Sequence, residues 1–148
     1  MDMVIAFCGH SNYISTACDE TKMLNIFETE IGDAPCDFFL GGYGGFDEFA
    51  LKCAKRFKQS HSSVRLILIT PYLSTKKLPY SEHTFDAVVY PELEKIPPKY
   101  AISHRNRWII EKADIVISFV SHQYGGAYAM YSYAKRKNKK IYNLISID

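Results

Sequence analysis

Apolar residues fall along this chain in two alternating rhythms. Short unbroken runs at Met3–Cys8, Phe38–Leu40, Val64–Thr70, Ile115–Val120 and Ile141–Ile145 read as buried strands. Between them the spacing turns helical. Leu24, Phe27 and Ile31 predict a helix over about residues 19–31, ended by Gly32 and Pro35. Phe46, Phe49, Ala50, Cys53, Ala54 and Phe57 form an i, i+3, i+4, i+7, i+8, i+11 series, an amphipathic helix with one apolar face. Further helices are expected over about 103–112 and 126–137.

Strands that alternate with helices, and are apolar on both faces, belong in a parallel sheet covered on both sides. The expected fold is therefore α/β: one Rossmann-like domain spanning residues 1–148, with no repeat and no linker. Ligands of such sheets sit beyond the carboxyl ends of the strands, where Gly9, Gly41 and Gly125 all fall. The pattern breaks from Pro71 to Pro98, a stretch holding five of the six prolines together with Tyr72, Tyr80, Phe85 and Tyr90. A short strand is expected at Phe85–Tyr90, and the segment as a whole is expected to cover a ligand as a lid.

Two glycine turns stand out. Leu40-Gly41-Gly42-Tyr43-Gly44-Gly45-Phe46-Asp47 links a strand to a helix, and Tyr124-Gly125-Gly126-Ala127 does the same near the C-terminus. Glycine lets backbone N–H groups approach an anion, and the helix that follows adds its positive dipole end. The competing reading is a tight turn that glycine merely permits. Asp47 occupies the third-glycine position of a dinucleotide fingerprint, and no Lys-Ser/Thr pair follows, so neither an ordinary NAD-binding unit nor a P-loop is present.

Composition narrows the picture little. Eleven Tyr and nine Phe make the chain aromatic-rich, which suits a core, a subunit contact or base stacking. A net charge of +2 gives no ground for a nucleic-acid or membrane partner. The Lys135–Lys140 basic run reads as a solvated helix end. Cys8, Cys18, Cys36 and Cys53 lack redox or zinc spacing, and Cys8 and Cys53 read as buried thiols of a reducing cytoplasm. The five histidines form no i, i+4 pair, so no metal is expected, and His10, directly after the first strand, is kept as a ligand contact. The arginines of His104-Arg105-Asn106-Arg107-Trp108, one short helix before the Asp114 strand, could hold phosphate through two parallel hydrogen bonds; the competing reading is a solvated helix start with Arg107 on the outer face.

With these features placed, the chain resembles the SLOG superfamily of Rossmann-like nucleotide-binding domains. That group includes Lonely Guy-type phosphoribohydrolases, the DNA-processing protein A fold and sensor domains of bacterial defence. The resemblance lies in the Leu40–Asp47 and Ala101–Asn106 blocks and covers essentially the whole chain. It implies that Arg105, nine residues before Asp114, matches the family's catalytic arginine, with Asn106 replacing a lysine and Gly126-Ala127 in the Gly-Thr position. Met130 stands where phosphoribohydrolases and deoxyribosyltransferases carry their glutamate. Methionine neither takes a proton nor attacks an anomeric carbon.

The expectation is a binder of a nucleotide or nucleotide-derived signal with no catalytic residue and no cofactor. Gly9, His10, Gly41, Gly42, Tyr43, Gly44, Gly45, Phe46, Asp47, Arg105, Asn106, Gly125, Gly126 and Ala127 are the candidate contacts. Tyr43 or Phe46 would pack on the base or ribose. Asp47 would cap its helix or hydrogen-bond the ligand. The alternative is an N-glycosidase acting on nucleoside 5′-monophosphates through Asp47 or Glu48; a structural protein with a vestigial pocket is a third. Tyr128, Tyr131 and Tyr133 on one helix exceed what a single stripe buries, which predicts a homodimer or larger homo-oligomer.

Overall fold

The structure, a computed structural model, describes residues 2–73 and 84–148. In chain order it contains β1 (Met3–Gly9), α1 (Ala17–Glu30), β2 (Cys36–Leu40), α2 (Gly45–Lys58), β3 (Val64–Ile69), β4 (Ala87–Val89), α3 (Ala101–Lys112), β5 (Ile115–Phe119), α4 (Gly125–Arg136) and β6 (Lys140–Asn143). The six strands form one sheet in the order β4-β3-β2-β1-β5-β6, every pair parallel.

Register decides which side chain faces which layer. Ile5 lies opposite both Phe38 and Ile115, and Phe38 opposite Leu66, so these residues share one face of the sheet. That face packs against α1 and α2 through Met23, Phe27, Phe49, Cys53 and Phe57. The alternate residues, Ala6, Cys8, Phe39, Ile67 and Val116, face α3 and α4 through Ile109, Ile110, Met130, Tyr131 and Ala134. The result is the helix–sheet–helix sandwich expected of strands apolar on both sides.

The aromatic surplus is mostly core. Phe7, Phe27, Phe38 and Phe57 pack as tilted and edge-to-face pairs with centroids 4.7–6.4 Å apart. On the other face small side chains prevail on β1, and Cys8 Sγ lies 3.5 Å from the Ala127 carbonyl, joining β1 to the first turn of α4.

From β1 the chain winds outward through β2, β3 and β4, then returns to add β5 and β6 on the other side. Strand order reverses between β1 and β5, and the loops leaving those two strands diverge there into a crevice. This switch point positions the site.

Element boundaries moved by at most two residues from their sequence expectations. A 3-10 turn at Pro98–Tyr100 leads into α3, which begins at Ala101 instead of 103. The predicted strand at Phe85–Tyr90 shortens to Ala87–Val89, because Phe85 turns into the core and Asp86 Oδ2 accepts the Leu66 N–H at 2.7 Å. Part of the lid expected between Pro71 and Pro98, residues 74–83 with Tyr80 among them, lies outside the described residues. Of the α4 tyrosines, Tyr131 is buried, while Tyr128 and Tyr133 are half-buried against the helix pair. No helix among the described residues is long and apolar enough to cross a membrane.

Candidate functional site

Beyond the carboxyl ends of β1, β2 and β5 lies a cavity of about 480 Å³. The β1 loop contributes Gly9, His10, Ser11 and Asn12; the first glycine turn contributes Gly41, Tyr43 and Asp47. Ile102, Arg105, Asn106 and Ile109 enter from α3, and His122, Tyr124 and Gly125–Ala127 together with Met130 close it from the β5 side. Ten of the fourteen candidate residues thus share one wall system: Gly9, His10, Gly41, Tyr43, Asp47, Arg105, Asn106, Gly125, Gly126 and Ala127. Gly42, Gly44, Gly45 and Phe46 do not line it.

The two glycine turns play different parts. The first is closed on the protein itself. Gly45 N–H donates to the Ser11 carbonyl at 2.7 Å, and Tyr43 N–H donates to Asp47 Oδ2 at 3.0 Å. A Cβ on Gly45 would sit 2.3 Å from the Tyr13 carbonyl oxygen, and Gly44 has φ +92°. These glycines let the turn close onto the β1 loop, so the dense cluster reports packing more than ligand approach. Phe46 corrects the sequence reading outright. Its side chain is 0% exposed, packed on Tyr13, Phe49 and Phe119, and cannot reach a base or ribose. Gly9 is glycine for the same reason, since a Cβ there would lie 2.3 Å from the Phe46 ring.

The second turn is open. Tyr124 precedes α4 in extended conformation, and no side chain caps the helix. The first N–H groups of a helix have no intrahelical acceptor, and they carry the positive end of its dipole. Gly125 and Gly126 expose these donors to the cavity, and a Cβ on either would meet nothing within 4 Å.

Opposite stands Arg105, 4% exposed. Nη1 donates to the carbonyls of Ile69 at 2.8 Å and Gly41 at 3.0 Å, while Nε donates to Asn106 Oδ1 at 3.0 Å. The guanidinium therefore ties the ends of β2 and β3 to α3, a bracing role that residue type and spacing did not foretell. Nη2 has no protein partner among the described residues, and no fully buried side-chain nitrogen or oxygen there is left unpaired. Arg105 nonetheless lines the cavity.

Asp47 is the one carboxylate among the cavity-lining residues described. Burial pushes its carboxyl up to about 6, against the opposing pull of the Tyr43 N–H and of Arg105. Its Oδ2 reaches back across the start of α2 to the Tyr43 N–H, one residue before the Gly44 cap, and no side chain caps the helix itself. Glu48 is exposed on the outer side of α2 and lines no part of this cavity. Met130, 8% exposed, stands in the wall on α4, one turn from Gly126. Burial also pushes the Cys8 thiol up to about 12, far from a nucleophile at neutral pH.

An aromatic ladder at the mouth went unseen in the sequence. The His10 and His122 rings stack at 3.9 Å with 5° between planes, and His122 stacks on Tyr124 at 4.0 Å. Ser121 N–H donates to His10 Nε2 at 2.9 Å, which requires that nitrogen to be unprotonated. Burial, then the neighbouring His122, lowers the His10 pKa below its ordinary value. Tyr124 is 70% exposed, so its outer ring face is open. Among the described residues no three His, Cys, Asp or Glu side chains are placed to hold a metal ion.

No protein-family model matches the chain, and no curated protein matches it in sequence. Solved structures do match its shape. DNA processing protein A from Helicobacter pylori, known for its single-stranded DNA binding mode, superimposes with a TM-score of 0.65 at 18% identity, over 99% of this chain and 68% of that one. The structural-genomics protein TM1055 gives 0.59 at 13% identity, over 94% and 72%. The molybdenum cofactor carrier protein of Chlamydomonas reinhardtii gives 0.58 at 17% identity, over 95% and 75%. At such identities the likeness establishes architecture alone. With its single parallel sheet and these neighbours, the chain has a Rossmann-like α/β fold.

Proposed function

We propose that this protein binds a nucleotide or nucleotide-derived anion in the cavity between β1 and β5 and does not turn it over. One observation carries this: the uncapped, glycine-faced start of α4 and the Arg105 side chain line the same cavity. Backbone donors, a helix dipole and a guanidinium together favour phosphate over a neutral ligand. The Tyr124 face supplies a stacking surface beside them, replacing Phe46 in the role first expected of it. A cavity of about 480 Å³ is ample for a mononucleotide, in a range of roughly 300–1,000 Å³ for small-molecule sites.

Absence of turnover follows from the chemistry of the wall. Cleaving a ribosyl bond needs a group that stabilises or captures an oxocarbenium-like centre. Met130 occupies the α4 position where the resembling enzymes carry glutamate, and its surroundings are apolar. The N-glycosidase alternative is left with Asp47, whose Oδ2 is held by Tyr43 N–H. The molybdenum cofactor carrier shares the fold, and its described role is to carry a ligand, a precedent for binding on this scaffold. Assembly into a homo-oligomer is not part of the proposal, since the tyrosines behind that expectation are buried or half-buried in α4's own packing.

Mass spectrometry of small molecules released on denaturing the purified protein tests the proposal. The expected species carries a phosphate and a planar base. A stoichiometric ligand lacking phosphate would count against it.

A further inference from the structure

A second space adjoins the cavity at the first turn of α4. A groove of about 520 Å³ runs between α3 and α4, and Ile102, Asn106, Gly126 and Met130 line both spaces. Gly126 lies on the shared wall. Its φ is not positive, and a Cβ there would touch nothing within 4 Å. Neither backbone conformation nor packing among the described residues calls for glycine at this point. A side chain there would project into open space at the wall that the two cavities share.

Beyond Gly126 the groove is cationic. Lys99, Arg107 and Arg136 line it, and no carboxylate does among the described residues. None of the three forms an ion pair there. The Arg107 and Arg136 guanidiniums each lie 5.5 Å from the centroid of the Tyr133 ring between them. Glu111 reaches this face through Tyr133, whose hydroxyl donates to Glu111 Oε1 at 2.6 Å. Uncompensated guanidiniums beside an aromatic ring, continuous with a phosphate site, are suited to a second phosphate and its nucleoside. Each space alone falls in the range of roughly 300–1,000 Å³ that holds one small ligand, so the pair exceeds what a mononucleotide fills.

We infer that the site continues over Gly126 into the α3–α4 groove and that its ligand is a linear dinucleotide, one phosphate at α4 and Arg105 and the second nucleotide unit against Arg107 and Arg136. This rests on the phosphate-binding function proposed above.

The test is calorimetric titration of the full chain with two probes, AMP and 5′-phosphorylated diadenylate. Wild-type protein should bind the diadenylate on the order of tenfold or more tightly than AMP, the effect of one further charge-assisted contact. In an Arg107→Ala/Arg136→Ala double variant that preference should vanish while AMP affinity stays unchanged. Both side chains are exposed, and circular dichroism confirms that the variant is folded. Equal affinities in wild type, or a preference that survives the double substitution, would overturn the extension and leave phosphate binding intact. Failure of both probes to bind would overturn the two together. A dimer by light scattering that the double variant dissociates, with the affinity ratio unmoved, would assign the groove to a second copy of the chain and also overturn the extension.

Discussion

Replacing Asp47 with asparagine isolates the charge of the one carboxylate among the cavity-lining residues described. The amide oxygen can still accept the Tyr43 N–H, bound to Oδ2 at 3.0 Å, so the glycine turn before α2 keeps this bond while the charge goes. Burial lifts the carboxyl from an ordinary 3.8 to about 6 in the folded chain. Two units at about 1.36 kcal/mol each correspond to about 2–3 kcal/mol, the lower end allowing for solvent on the open side of the group. The sign follows from linkage. A folded-state pKa above the unfolded one means that the native protein binds the proton more tightly. This contribution is fully present below the unfolded value and is lost as pH rises through the folded value. Urea unfolding of wild type and Asp47→Asn between about pH 4 and about pH 7 should therefore show the variant gaining about 2–3 kcal/mol relative to wild type as pH rises. Other titrating groups cancel in the difference. Stability curves that run parallel across this window would refute the assignment of a buried, unneutralised carboxylate.

Arg105→Ala should cost stability as well as ligand: it strips the carbonyls of Gly41 and Ile69 of a charged donor, for a loss of about 2–4 kcal/mol in urea unfolding, whereas Arg107→Ala should move it by less than about 0.5 kcal/mol. Equal effects of the two substitutions would contradict the bracing role. Gly9→Ala should destabilise by about 1–3 kcal/mol, because the new methyl meets the Phe46 ring; a thermal midpoint equal to wild type would show that this contact is looser than described.

The layers were legible because period and composition report which faces are buried. Phe46, Phe49, Cys53 and Phe57 read as one helix face, and they are one. The spacing of Arg105 and Gly126 put both on what proved to be the same cavity. What periodicity cannot report is which loop has closed on another. Gly44 and Gly45 look like a phosphate cradle until Ser11 and Tyr13 are seen against them. The His10–His122–Tyr124 ladder escaped for the same reason. Ser121 donates to His10 across 111 residues of chain, and only the adjacency of β1 and β5 brings those loops together. A histidine and a tyrosine two residues apart, just before a glycine turn at a strand end, were the signal available. Phe46 was misassigned because its neighbours in sequence are glycines, while its neighbours in space are rings.

Binding without turnover is tested most directly by following AMP, GMP, CMP and UMP in one experiment, with calorimetry for occupancy and chromatography for free base after hours at high protein concentration. The account predicts saturable binding of at least one of these phosphates, none of the matching nucleoside, and no released base. Steady release of base that Asp47→Asn abolishes would contradict it and make this protein an enzyme.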